Sequence, residues 1–176
     1  MDPRLQELLD RQEIARLLAR YAHACDRCDG EAMAAVYWPD SWDDHGRDQA
    51  SGPDFARLMT GEIIPRTCET LSHLLGQSLI EIDGDRAGAE TYYLAVTRSL
   101  GKDGEPRCNQ LGGRYVDRLE RRGGEWRIEH RTCLRDWSVT LRIEEDHFAL
   151  AMLKPGHRSG EDLSYPVLGW QHGAKL

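Results

Sequence analysis

The chain offers one tyrosine, several aspartates and a few histidines at spacings that could move a proton. Tyr21 lies in the run R-Q-E-I-A-R-L-L-A-R-Y-A-H-A-C-D-R-C-D, from Arg11 to Asp29. On an ideal helix Ile14, Leu17, Leu18, Tyr21, Cys25 and Cys28 fall within one sector of about 100°, the width of a core-facing stripe. A hydroxyl in that stripe must find a partner or face a cavity, because an unpaired buried polar group costs roughly 1–3 kcal/mol. Tyr21 is therefore either a core aromatic bonded to a backbone carbonyl or a group aimed into a pocket. Asp26 sits about 140° round the helix from Tyr21, so the two share a cavity only if the helix tilts or frays there. Asp26, Asp29 and Gly30 mark the helix end, where acids oppose the helix dipole unless something else uses them.

His73 opens a strand-like segment, and alternation places it on one face with Leu75, Gln77 and Leu79. It reads as a hydrogen-bonded structural histidine or, with a carboxylate on one ring nitrogen, as a general base whose tautomer and imidazolium that carboxylate stabilises. Asp43, Asp44 and His45 suggest a metal cluster. Adjacent strand residues point to opposite faces, however, so only Asp43 and His45 could share a site, and no metal is expected. Cys25-Asp-Arg-Cys28 matches C-x-x-C but ends a helix, whereas a redox pair uses a helix N-terminus. The spacing of Cys68, Cys108 and Cys133 completes no zinc site. The five cysteines are expected to be reduced packing residues.

The elements that must hold these residues change character along the chain. Helical periodicity predicts a long helix to about Cys28 capped by Asp2-Pro3, a short one from Glu31 to Trp38, and a third from Asp54 to about Ile64 ended by Pro65. A short strand is expected from Ser41 to His45. From Thr70 the pattern is extended. Segments Ser72–Ile82, Arg86–Leu100, Arg107–Arg121 and Glu125–Arg142, separated by Asp83-Gly84, Gly101–Gly104 and Gly123-Gly124, predict an antiparallel meander. Helices followed by a meander make an α+β fold with helices on one face of a curved sheet. One domain is expected over residues 1–142, with 143–176 as a C-terminal extension that includes a helix from Glu144 to Leu153.

The 176 residues carry a net charge of −7, which disfavours nucleic acid or an anionic membrane as partner. The first residues lack a signal-peptide pattern and no apolar run spans a bilayer, so the cytoplasm is the expected location.

The motifs Y-A-H-A-C-D-R-C-D, W-P-D, L-S-H and G-G-R-Y-V-D-R-L-E-R-R-G-G-E-W-R-I, in this order, resemble the SnoaL-like branch of the NTF2-like superfamily over roughly Leu5 to Arg142. The resemblance implies a cone: a curved antiparallel sheet with helices closing over a deep apolar pocket. It further implies a dyad of Asp26 and His73, with Tyr21 and Arg135 at positions matching the bile-acid dehydratases of this branch. Strict alternation puts Arg135 opposite Trp126, Ile128, His130 and Leu134, so a bulge is required if it is to face the pocket.

The implied chemistry is a cofactor-free elimination or enolisation in which His73 removes a proton alpha to a carbonyl, Asp26 holds the ring and Tyr21 stabilises the oxyanion. Arg135, Trp38, Trp42 and Tyr93 are candidates for binding an apolar cyclic or polycyclic substrate. Tyr92 and Trp137 are further aromatic candidates. The same fold serves the non-catalytic small subunit of ring-hydroxylating dioxygenases and binding proteins, which stand as alternatives. A homo-oligomer, dimer or trimer, is expected.

Overall fold

The computed structural model describes residues 2–145 and 153–174. Helix α1 (Pro3–Asp26) starts on Asp2, whose side chain accepts from the Arg4 N–H, with proline in the first turn where a missing N–H costs nothing. Its buried stripe is Asp10, Ile14, Leu17, Leu18, Tyr21 and Cys25, with Ala22 and Ala24 beside it. The acid in that stripe is satisfied: Asp10 Oδ1 accepts from Trp126 Nε1 at 3.0 Å and from Arg121 at 2.7 Å. The G-G-E-W segment thus anchors the helix to the far end of the sheet.

Helix α2 (Gly30–Ala35) is shorter than its periodicity predicts, because the chain becomes extended at Tyr37 and runs through Pro39 as strand β1 (Tyr37–His45). A hairpin at Gly46 leads to β2 (Asp48–Ser51), which sequence reading missed. Helix α3 (Gly52–Leu58) is capped by Ser51 and does not stop near Ile64. It widens into a π-helical turn, Met59–Ile63, and resumes as α4 (Ile64–Thr67). Pro65 lacks the N–H of a regular helix, and the π turn absorbs that misfit instead of ending the helix.

Strands β3 (Thr70–Asp83), β4 (Arg86–Leu100), β5 (Pro106–Arg122) and β6 (Glu125–Arg142) form the expected meander. The curved, unclosed sheet has the order β2-β1-β6-β5-β4-β3, antiparallel except where β1 runs parallel to β6. Its concave face packs on the helices around Ile14, Met33, Tyr37, Phe55, Leu119 and Ile128, all nearly or wholly inaccessible.

Beneath the cavity lies a buried ion pair. Arg131 and Asp117, each with a fully buried side chain, make two parallel hydrogen bonds of 2.7 Å. The Arg131 guanidinium also lies 4.1 Å from the Tyr21 ring centroid and 4.2 Å from that of Tyr115. Burial opposes its charge, but the Asp117 carboxylate holds it cationic, its pKa raised well above the usual arginine value.

The C-terminal segment returns to the end of α1. Its helix α5 (Ser164–Leu168) places Tyr165 so that its hydroxyl donates to Asp29 Oδ2 at 3.0 Å, and the Gly173 N–H adds a second bond at 3.1 Å. Asp29 also caps α2 through the Ala32 N–H and is wholly buried. Asp29 thus holds two chain segments together. The helix expected from Glu144 to Leu153 falls largely outside the described residues.

Candidate active site

A cavity of about 690 Å³ opens between the concave sheet face and helices α1 to α4. Tyr21, Cys25, His45, Phe55, Leu71, His73, Tyr93, Tyr115, Cys133 and Arg135 are among the residues lining it. The volume suits a small organic molecule, and the wall is mainly apolar with a few convergent polar groups.

Asp26 is the last residue of α1, and its carboxylate reaches the start of β3. There Asp26 Oδ1 lies 2.6 Å from His73 Nδ1, while Oδ2 accepts the His73 backbone N–H at 2.9 Å. Two bonds to one residue fix both partners. The side chains are only 13% and 7% exposed. With Nδ1 committed to Asp26, Nε2 is the nitrogen left for proton transfer.

Tyr21 comes to the same cavity one turn earlier on α1. Its ring meets Tyr115 edge-on at 5.5 Å and Tyr37 at 6.2 Å. Burial raises its pKa well above the usual value, so the hydroxyl remains a donor. Tyr93 stacks on Tyr115 with centroids 4.5 Å apart. Its hydroxyl lies 3.4 Å from Cys133 Sγ.

Arg135 reaches the cavity by the bulge that strict alternation demands. Leu119 pairs with Ile128 but Arg118 pairs with His130, so Glu129 is an extra residue that inverts the strand's parity. Trp126 and Ile128 face inward before it, and Arg131, Cys133 and Arg135 after it. At Gly113, opposite Arg135, a Cβ would stand 1.9 Å from the Leu134 carbonyl oxygen and 2.9 Å from the Tyr93 hydroxyl. Only glycine fits there.

Trp38 and Trp42 do not belong to the cavity wall. On β1 the buried positions are Tyr37, Ser41 and Asp43, which turns both tryptophans outward. Trp38 donates to the Glu120 carbonyl at 3.0 Å and lies between the Arg122 and Arg127 guanidinium groups, while Trp42 is 44% exposed. Tyr92 and Trp137 likewise lie on the exposed face.

A second pair, which sequence reading weighed only as metal ligands, faces the cavity from β1. His45 Nδ1 is hydrogen-bonded to Asp43 Oδ1, and Asp43 Oδ2 accepts from the Tyr37 hydroxyl at 2.5 Å. The ring stacks on Phe55 at 4.4 Å. Burial works against charge on His45, but the neighbouring Asp43 and Cys133 outweigh it and lift its pKa to about 9.

An α+β fold with a curved, unclosed antiparallel sheet and an N-terminal helix is the architecture of the NTF2-like and cystatin-like proteins. Residues 6–132 match the family model of the SnoaL-like domain, and the chain belongs to that family. A candidate scytalone dehydratase from Novosphingobium aromaticivorans is similar in structure, with a TM-score of 0.67 at 20% identity over 78% of this chain and 91% of that one. The hexachlorocyclohexane dehydrochlorinase LinA-type3 from Novosphingobium barchaimii gives 0.72 at 18% identity, over 86% and 99%. A candidate aromatic ring hydroxylase from Novosphingobium aromaticivorans gives 0.65 at 24% identity, over 76% and 94%. These likenesses are of fold. No curated protein sequence matches the chain.

Proposed function

We propose that the protein is a cofactor-independent lyase that eliminates a β leaving group from an apolar cyclic carbonyl compound. The observation that carries this reading is the doubly bonded Asp26–His73 pair at the wall of an apolar-lined cavity. His73 Nε2 removes a proton alpha to the carbonyl, and Asp26 stabilises the imidazolium that forms. The carbonyl delocalises the carbanion, so the step calls for neither metal nor organic cofactor. Tyr21, kept protonated by burial, donates to the developing oxyanion. Arg135 assists the departing hydroxide or halide, and Tyr93 with Tyr115 provides a flat surface for a ring.

The comparisons support a lyase-type family, since dehydratase and dehydrochlorinase folds lie among the structural relatives. The substrate class rests on the cavity's lining. Association of copies through the outer sheet face, where Tyr92, Val116, Leu134 and Trp137 are exposed, completes the reading. Light scattering after gel filtration checks it, a monomer being the contrary result.

A turnover screen tests the function. Wild type and His73→Ala are incubated with β-hydroxy and β-halo ketones on steroid-like and aromatic-like skeletons, and enone absorbance is followed. Product from wild type, lost in a folded His73→Ala, supports the lyase. Absence of product, with equal thermal stabilisation of both proteins by an apolar ligand, points to a binding protein instead.

A further inference from the structure

The Asp43–His45 pair is not used by the elimination, and it has a sulfur for a neighbour. The parallel ladder between β1 and β6 sets Asp43 beside Arg131 and Asp44 beside Thr132. The next rung brings His45 alongside Cys133, and both line the cavity. The imidazole is hydrogen-bonded through Nδ1 to Asp43, and Asp43 and Cys133 are the neighbours that raise its pKa. Asp43 is wholly buried and held by Tyr37, while Phe55 fixes the ring plane. A sulfur nucleophile, an imidazole and a carboxylate that orients the ring are therefore gathered at one wall of the cavity, each supplied by a strand and not by a loop. Such an arrangement activates a thiol, since the thiolate is the reacting form and an oriented imidazolium beside it stabilises that thiolate.

We propose that Cys133 is a reactive thiol, made nucleophilic by the His45–Asp43 pair, and that it adds to α,β-unsaturated carbonyl compounds entering the cavity. With Nδ1 taken by Asp43, Nε2–H is the ring's remaining donor toward the thiolate. In the addition, Sγ forms a bond to the β carbon and the carbon–carbon π pair moves toward the carbonyl to give an enolate. The proton held by His45 is then returned to the α carbon. Thiol and acceptor become a thioether, with no oxidant or reductant required. The thiol's reactivity stands apart from the Asp26–His73 chemistry. The choice of an enone as the natural electrophile rests on the elimination proposed above, because an enone is what that reaction releases. Covalent capture of product would then make the protein self-limiting in the presence of accumulated enone.

The test uses N-ethylmaleimide, itself an α,β-unsaturated carbonyl compound, at pH 7 and limiting dose, with peptide mass spectrometry giving the rate at each cysteine. Half-buried Cys108 on β5 is the internal reference. Cys133 is expected to react at least tenfold faster than Cys108 in wild type, to fall to the Cys108 rate in His45→Asn, and to keep its rate in Asp26→Asn. The wild-type comparison needs no variant to fold. Equal rates at the two cysteines in wild type overturn the assignment. So does a Cys133 rate that survives His45→Asn, or one lost in a folded Asp26→Asn. Fast labelling together with a failed turnover screen would remove the elimination and leave the thiol site standing.

Discussion

Two carboxylate–imidazole pairs face one cavity, and they are built in opposite ways. Asp26 and His73 are 47 residues apart and meet only because the end of α1 lands on the start of β3. Asp43 and His45 are two residues apart on one strand and meet by alternation alone. The first carboxylate spends both oxygens on His73, through ring and backbone. The second divides itself between His45 and Tyr37. The local pair is locked by stacking on Phe55 and holds its charge, while the long-range pair presents a nitrogen to the cavity. In the proposed reading the first pair is the base in one wall, and the second sets a positioned imidazole beside a sulfur in the other.

The comparison predicts that activity and stability separate. His73→Ala is expected to lower the rate of elimination by about 10²–10⁴-fold, the usual worth of a positioned general base, with little loss of melting temperature. Steady-state kinetics beside a thermal melt checks this. Tyr21→Phe should cost on the order of 10²-fold in kcat, as for loss of one oxyanion donor. A change confined to KM would place Tyr21 in binding alone.

Stability responds to the deeper groups. Asp117→Asn leaves Arg131 buried without its counter-charge and is expected to destabilise by about 3–5 kcal/mol, measured by denaturant unfolding. Asp43→Asn turns one of the two acceptor oxygens, Oδ2 for Tyr37 or Oδ1 for His45, into an amide donor and should cost about 1–3 kcal/mol. If Asp43→Asn were as mild as His73→Ala, the contrast between the two pairs would fail.

The smallest effect is in pH. His45 has a pKa near 9 when folded against an ordinary value of 6.5. Its stabilising contribution is therefore complete below the unfolded value and lost as pH rises through about 9. The stability difference between wild type and His45→Asn should accordingly shrink from pH 6 to pH 10. A difference that grows would contradict the charged imidazole.

Much of this was legible in residue order. The stripe on α1, the meander and its Gly-bearing turns follow from local periodicity, and the family resemblance placed Asp26 opposite His73. What escaped depends on pairing. Whether Arg135 faces inward turns on one extra residue at Glu129, which appears only when β6 is laid against β5. Trp38 was expected at the end of the second helix and Trp42 as a pocket aromatic on a strand from Ser41. Starting the strand at Tyr37 fixes both on the outer face. Asp43 and His45 were recognisable as sharing a face, but the sulfur beside them comes from a strand about 90 residues later, brought there by parallel pairing that no local pattern encodes.

The most direct test of the base is proton exchange. Cyclic ketones lacking a leaving group are incubated with protein in D2O, and deuterium entering the α position is followed by NMR. Wild type is expected to catalyse exchange, with the rate falling at least 100-fold in His73→Ala and recovering in neither Asp26→Asn nor Asp26→Ala. Exchange at equal rates in wild type and His73→Ala, or none in wild type across the panel, would contradict His73 as the base.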